Sequence, residues 1–171
     1  MKKQIFADLG ECRACLSCEN ACSGEHYPTK NTLSALLAGE PSRIFVQAHD
    51  GSPIPVTCRH CEEPVCVDAC LTGAMQIDQS SGKVTVDSDT CIGCGMCVMA
   101  CPFGVPQFGK DGKMQKCDFC FDRLEKGCMP ACMNVCPTRA LHAGPLDEIS
   151  SLAARKSVNR LIRGTHPSFF I

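Results

Sequence analysis

The stretch Cys91–Pro102 reads C-I-G-C-G-M-C-V-M-A-C-P and sets four cysteines at the spacing C-x2-C-x2-C-x3-C, closed by a proline. Three thiols so close in sequence must turn inward from one tight loop onto a common centre. Gly93 and Gly95 suit such a loop, because glycine takes positive φ without steric cost and lets backbone N–H groups approach sulfur. The spacing is that of thiolates that hold iron–sulfur clusters, where the last cysteine of the run ligates the neighbouring cluster. Cys101 is therefore expected to point away from Cys91, Cys94 and Cys97, and one such run implies a second.

Three more groups are present. Cys12, Cys15, Cys18 and Cys22 repeat the same spacing; Cys58, Cys61, Cys66 and Cys70 widen the middle gap to four residues; Cys117 and Cys120 are followed, after eleven residues, by Cys132 and Cys136. By spacing alone Cys128 and Cys132 close the last group as well as Cys132 and Cys136 do, although Cys136 shares the C-P ending with Cys101. A short internal repeat, C-L-T-G-A-M from Cys70 and C-P-T-R-A-L from Cys136, points to duplication of a two-cluster module.

Seventeen cysteines in 171 residues also fit a disulfide scaffold. Against that stand the odd count, the tight C-x-x-C grouping, and an N-terminal stretch with neither a leader-like apolar run nor a twin-arginine pair. A reducing, cytoplasmic setting is expected. Zinc is the other alternative, but its structural sites use separated C-x-x-C knuckles, and a triplet in one loop supplies too many thiolates for one tetrahedron. No window approaches the ~18 apolar residues of a membrane span.

With no Trp, one Tyr and eight Phe against eleven Pro and fourteen Gly, an ordinary apolar core is thin for this length. Clusters can replace that core, so that metal binding and folding share one free energy. The formal charge is −1, and cluster ligation takes the loaded protein to about −9. No basic stripe marks a nucleic-acid partner.

Groups two and three are contiguous, and crossed ligation gives Cys91, Cys94 and Cys97 with Cys70, and Cys58, Cys61 and Cys66 with Cys101. The same logic pairs Cys12, Cys15 and Cys18 with Cys136, and Cys117, Cys120 and Cys132 with Cys22. The expected fold is α+β: nested ferredoxin-like modules, loop-rich, with short hairpins and short helices around cluster cores. Residues 58–101 form an inner module, 1–57 with 102–145 an outer one, and 146–171 a helix and docking tail.

Among the connectors, an Asn31/Thr32 cap begins a helix over 32–38 that Gly39 and Pro41 stop. Hairpins are expected from 43–48 with 54–57, from Met75 and Ile77 with Val84 and Val86, and from 103–108 with 113–116. The tail is expected to begin at Gly144-Pro145 with a helix of about ten residues ending near Arg155-Lys156. Arg155, Lys156, Arg160 and Arg163 form the one basic cluster, before an apolar end at Phe169-Phe170-Ile171.

Over nearly its whole length the sequence resembles the four-cluster electron-transfer subunits of molybdenum and tungsten enzymes, such as dimethyl sulfoxide reductase, formate dehydrogenase and tungsten aldehyde oxidoreductase. The resemblance is carried by the four groups, by C-R-H-C-E-E-P from Cys58, by K-C-D-F-C from Lys116 with Asp122-Arg123, and by Thr165-His166-Pro167-Ser168. It implies the same crossed pairing, clusters in a chain, and Cys136 in place of Cys128 as the last ligand. Leu71 and Ser23 depart from it without removing a ligand.

The function expected is a non-catalytic relay. Four 4Fe-4S clusters pass single electrons between a large catalytic subunit, of the molybdenum or tungsten pterin type, and a second redox subunit or soluble carrier. Self-association through the tail into a multi-cluster wire is a compatible extension. The alternative is a zinc-stabilised interaction module, built on four-cysteine sites, without redox function. His60, inside a ligand loop, is read as either a hydrogen-bond donor to sulfur or a ring facing solvent. Nothing resembles a nucleophile with its base or a phosphate loop.

Overall fold

Hairpins and short helices alternate along the chain, and the cysteine groups sit at their joints. The computed structural model describes residues 3–163. Strand β1 (Lys3–Ala7) leads through group one into helix α1 (Ser17–His26) and then α2 (Thr32–Ala38). The hairpin β2 (Phe45–His49) and β3 (Ser52–Val56) leads to group two and α3 (Val65–Asp68). The hairpin β4 (Met75–Ile77) and β5 (Val84–Val86) leads to group three and α4 (Met96–Ala100). The hairpin β6 (Gln107–Phe108) and β7 (Met114–Gln115) leads to group four with α5 (Phe121–Glu125) and α6 (Ala131–Asn134). Strand β8 (Leu141–Pro145) and helix α7 (Leu146–Arg163) follow.

The turns have local causes. Asp50 and Gly51, at φ 48° and 75°, join β2 to β3 with the positive-φ pair that matches the twist of a two-residue hairpin. The Asp78 carboxylate accepts from the Ser81 N–H at 2.7 Å and from the Ser80 hydroxyl at 2.6 Å, which holds the β4–β5 loop. The Asn31 side chain accepts from the Ser34 N–H at 2.9 Å and Gly39 ends α2 at φ 68°, as the sequence leads one to expect.

Two hairpins are shorter than their apolar patterns. β2 starts at Phe45 because the Arg43 N–H is given to Cys22 Sγ and the Ile44 N–H to Ser42 Oγ, so neither joins the ladder. The third ladder begins only at Gln107, since Pro106 has no N–H to donate.

The tail differs more. Gly144 and Pro145 belong to β8, whose residues pair antiparallel with β1 in the register Lys3↔Pro145 to Ala7↔Leu141. Helix α7 has eighteen residues and passes well beyond Lys156. Losing an apolar stripe does not end a helix; the first glycine or proline after Lys156 is Gly164. Ile149, on α7, is buried, and Lys156 bonds Asp8 at 2.9 Å, tying the helix to the end of β1. The segment Thr165-His166-Pro167-Ser168, the Phe169-Phe170-Ile171 end and the side chains of Arg160 and Arg163 lie outside the described residues. Among the described residues no helix is long and apolar enough to cross a membrane.

The core is divided. One cluster gathers Ile5, Ile44, Val105, Phe119 and Leu141 with Cys18, Cys22, Cys58, Cys117 and Cys132, so thiols supply half of it. A second gathers Met75, Val84, Cys97 and Met114. Helix α1 packs on α6, and α3 on α4.

Candidate metal centres

Four loops in left-handed conformations bring the thiols together. In group three Gly93 and Gly95 take φ 69° and 77°; in group one the corresponding Ala14 and Leu16 take φ 52° and 58°. Groups two and four share a different loop, with His60 at φ 44° and Phe119 at φ 67°, each two residues after the first cysteine. Their second halves also correspond. Pro64 precedes α3, which contains Cys66, and Pro130 precedes α6, which contains Cys132. After Cys70 and Cys136 the chain turns through Gly73 at φ 71° or Arg139 at φ 52° into β4 or β8. The duplication read from two six-residue segments thus extends over both modules.

The fold brings sulfurs of different groups together. Cys70, Cys91, Cys94 and Cys97 wall one hollow with Ile92, Met75 and Met114. Cys58, Cys61, Cys66 and Cys101 wall a second with Pro64, Val105 and Lys116. Elsewhere Cys132 has Cys117, Cys22, Cys120 and Cys18 as like-charged neighbours, besides the burial that pushes its thiol far up. Burial pushes Cys18 up to about 11, with Cys12 and Cys15 adding repulsion, and Cys136 acts in the same sense on Cys15. Each of the two hollows takes three cysteines of one group and the last cysteine of another. Cys128 lines neither; it is exposed, with its nearest polar partner the Lys126 carbonyl.

Backbone N–H groups are aimed at the sulfurs. His60 and Phe119 donate to Cys58 and Cys117 at 3.4 Å, Met75 and Ala140 to Cys70 and Cys136 at 3.3 Å, Met114 to Cys91 at 3.4 Å, and Arg43 to Cys22 at 3.3 Å. Such donors favour thiolate over thiol. Burial raises Cys70 and Cys136, yet these N–H groups and the hydroxyls of Thr72 and Thr138 outweigh it and hold both thiols below their ordinary value. Burial alone wins at Cys117, pushed up to about 11, and at Cys120, pushed up to about 12. These sulfurs are costly to ionise without a cation, and a metal centre supplies the missing charge.

Around Cys22 lies a network that sequence reading misses. His26 Nδ1 meets the Cys22 carbonyl at 2.8 Å and its sulfur at 3.7 Å, while Nε2 meets both Asp118 oxygens at 3.2 Å. Arg43 Nη1 donates to Asp118 Oδ2 at 2.8 Å. Burial opposes the imidazolium, but the Asp118 carboxylate prevails and lifts His26 to about 10. Cys22, four residues earlier on the same helical face, is held below its ordinary value because His26 outweighs its burial. That i, i+4 spacing is the signal by which His26 was legible; Asp118 and Arg43, far apart in sequence, gave none.

His60 is fully buried and does not face solvent. Its Nδ1 accepts from the Val84 N–H at 3.2 Å, and its backbone N–H donates to Cys58 Sγ. Glu62 and Glu63 are exposed at the loop edge.

Tetrathiol hollows with converging N–H donors are the donor set of cubane iron–sulfur clusters. Residues 50–146 match the 4Fe-4S dicluster domain family, and residues 9–27 match a 4Fe-4S binding domain. The protein belongs to the 4Fe-4S dicluster family.

Members of this family are found among characterised reductases and dehydrogenases. The protein is 40% identical over 153 residues to the B subunit of anaerobic dimethyl sulfoxide reductase of Escherichia coli, covering 85% of this sequence and 74% of that one. It is 36% identical over 177 residues to an iron-sulfur protein of Rhodospirillum rubrum, covering 95% and 92% of the two. Over 108 residues it is 41% identical to the iron-sulfur subunit of nitrate-inducible formate dehydrogenase of Escherichia coli, with 63% and 37% covered. As a dicluster-family protein it carries 4Fe-4S clusters and transfers electrons, and the zinc module is set aside.

Proposed function

We propose that the four quartets are the ligand sets of four 4Fe-4S clusters, in the crossed arrangement Cys12, Cys15, Cys18 and Cys136; Cys22, Cys117, Cys120 and Cys132; Cys58, Cys61, Cys66 and Cys101; and Cys70, Cys91, Cys94 and Cys97. The observation that carries this reading is that the two inner hollows each take three sulfurs from one group and the last from another. Residues 58–101 then form the inner module, 1–57 with 102–145 the outer one, and 146–171 the tail. The packing of α3 on α4 and of α1 on α6 supports that division.

When bound, the clusters supply one-electron chemistry at potentials the protein adjusts. The protein's own work is to hold, insulate and space them. N–H donors stabilise the thiolates, Pro64, Val105 and Met114 keep water from the inner hollows, and the hairpins fix the distances between loops.

The protein serves as a non-catalytic relay subunit in the cytoplasm. One end faces a catalytic subunit with a molybdenum or tungsten pterin, a class supported by the relatives' names, and the other faces a second redox subunit or a soluble carrier.

Serine substitution tests the crossing in the anaerobically purified holoprotein. Cys101→Ser should remove the same EPR signal as Cys61→Ser, and Cys70→Ser the same signal as Cys94→Ser. If Cys101→Ser instead matches Cys94→Ser, the crossed assignment is wrong. A colourless protein with zinc and no iron overturns the relay itself.

A further inference from the structure

We propose that Lys116 is a positioning residue that raises the reduction potentials of the two centres meeting between the modules. The inference rests on the four-quartet reading. Lys116 is only 4% exposed, although an ammonium is among the costliest groups to bury. Its Nζ donates to the carbonyls of Val84 and Cys117, the latter at 3.1 Å. Among the described residues no carboxylate lies within ion-pair distance of it.

Its surroundings show where the opposing charge belongs. Lys116 borders the hollow of Cys58, Cys61, Cys66 and Cys101, and in sequence it directly precedes Cys117 of the neighbouring quartet. The duplication sharpens the point. Thr57 precedes Cys58 as Lys116 precedes Cys117, and it too is 4% exposed. At this equivalent position one loop carries a hydroxyl and the other an ammonium. Among the described residues no Lys or Arg side chain borders the hollow of Cys70, Cys91, Cys94 and Cys97.

Reduction adds one electron, and hence one negative charge, beside this lysine. In a water-poor interior the attraction between a fixed cation and added negative charge is large, so Lys116 favours the reduced state on both sides. The junction becomes the place in the relay where an electron rests.

The test is a potentiometric titration of the holoprotein with dithionite, followed by EPR. Lys116→Met should shift two of the four midpoint potentials downward at unchanged iron content, Lys116→Arg should restore them, and Lys126→Met, at an exposed lysine, should move none. Four unmoved potentials at full iron content overturn the proposal, as does an equal shift of all four. If Lys116→Met releases iron, Lys116→Gln, which keeps a donor for Val84, decides. The same two-centre shift is expected, and iron loss from it too replaces tuning by a role in assembly. A wild-type protein lacking four clusters refutes the four-quartet reading instead, so the two failures are distinct.

Discussion

The imidazole of His60 meets the ring of Phe119 edge-on, with centroids 5.8 Å apart and planes at 74°. Each stands two residues after the first cysteine of its group, each is fully buried, and each gives its backbone N–H to that cysteine. The contact therefore joins equivalent positions of the duplicated loops, the one begun at Cys58 and the one begun at Cys117. Lys83 adds to it, with its ammonium 4.8 Å from the Phe119 ring centroid and 3.7 Å from that of Phe121.

Removing the Phe119 ring should loosen this junction. Phe119→Ala is expected to cost about 3–5 kcal/mol, and Phe119→Leu, which keeps much of the buried volume, about 1.5 kcal/mol or less. The urea midpoint for bleaching of the cluster absorbance measures both. Equal midpoints for Phe119→Ala and wild type would show that the ring contact carries no load.

The left-handed loops of groups one and three should respond oppositely to small changes. A Cβ at Gly93 meets the Gly112 carbonyl at 2.3 Å, and the φ of 69° already disfavours a side chain. Gly93→Ala should cost about 1–3 kcal/mol and lower iron occupancy of the Cys91 centre. Ala14 already bears its Cβ at φ 52°, so Ala14→Gly should leave stability within about 1 kcal/mol of wild type, strain relief offsetting added chain entropy. Chemical denaturation of both variants, with iron analysis, checks the contrast.

The hold on α7 should weaken in mild acid. Lys156 Nζ bonds Asp8 at 2.9 Å and lies 3.0 Å from His142 Nε2, which accepts only while neutral. Burial, with Lys156 second, holds His142 below its ordinary value of 6.5. A depressed folded pKa means that the unfolded or detached state binds the proton first. The tie is thus whole above pH 6.5 and is lost as pH falls below it through the folded value. Amide exchange in α7 should quicken from pH 7.5 to 5.5 beyond the intrinsic trend, and His142→Asn should abolish that excess.

Cys128 and Cys136 offer a direct comparison. Cys136→Ser should lose one cluster's share of iron, whereas Cys128→Ser should lose none, because Cys128 is exposed and outside every quartet. Equal losses would reverse the assignment.

Much of this was legible in the sequence for local reasons. Asp50-Gly51, Asn31 with Gly39, and the alternation around Asp78 specify their turns and caps within a few residues. The β1–β8 pair was not legible, because its register joins Lys3 to Pro145 and neither segment carries a turn signal that names the other. Nor was the path of α7, where the apolar stripe gives out before the helix does. Lys116 and Asp118 read as ordinary charged residues beside a cysteine; only the fold places one against a second quartet and the other between His26 and Arg43.

The β1–β8 pairing also imposes an order of events in time. On the proposed assignment Cys12, Cys15 and Cys18 lack their fourth thiol until Cys136 appears, and β1 lacks a partner until β8 does. At about 5–20 residues per second of synthesis, the first cysteines wait ~6–25 s. Throughout that interval the thiols of the first group stay open, the stage at which oxygen, stray zinc or a cluster-delivery factor competes for them.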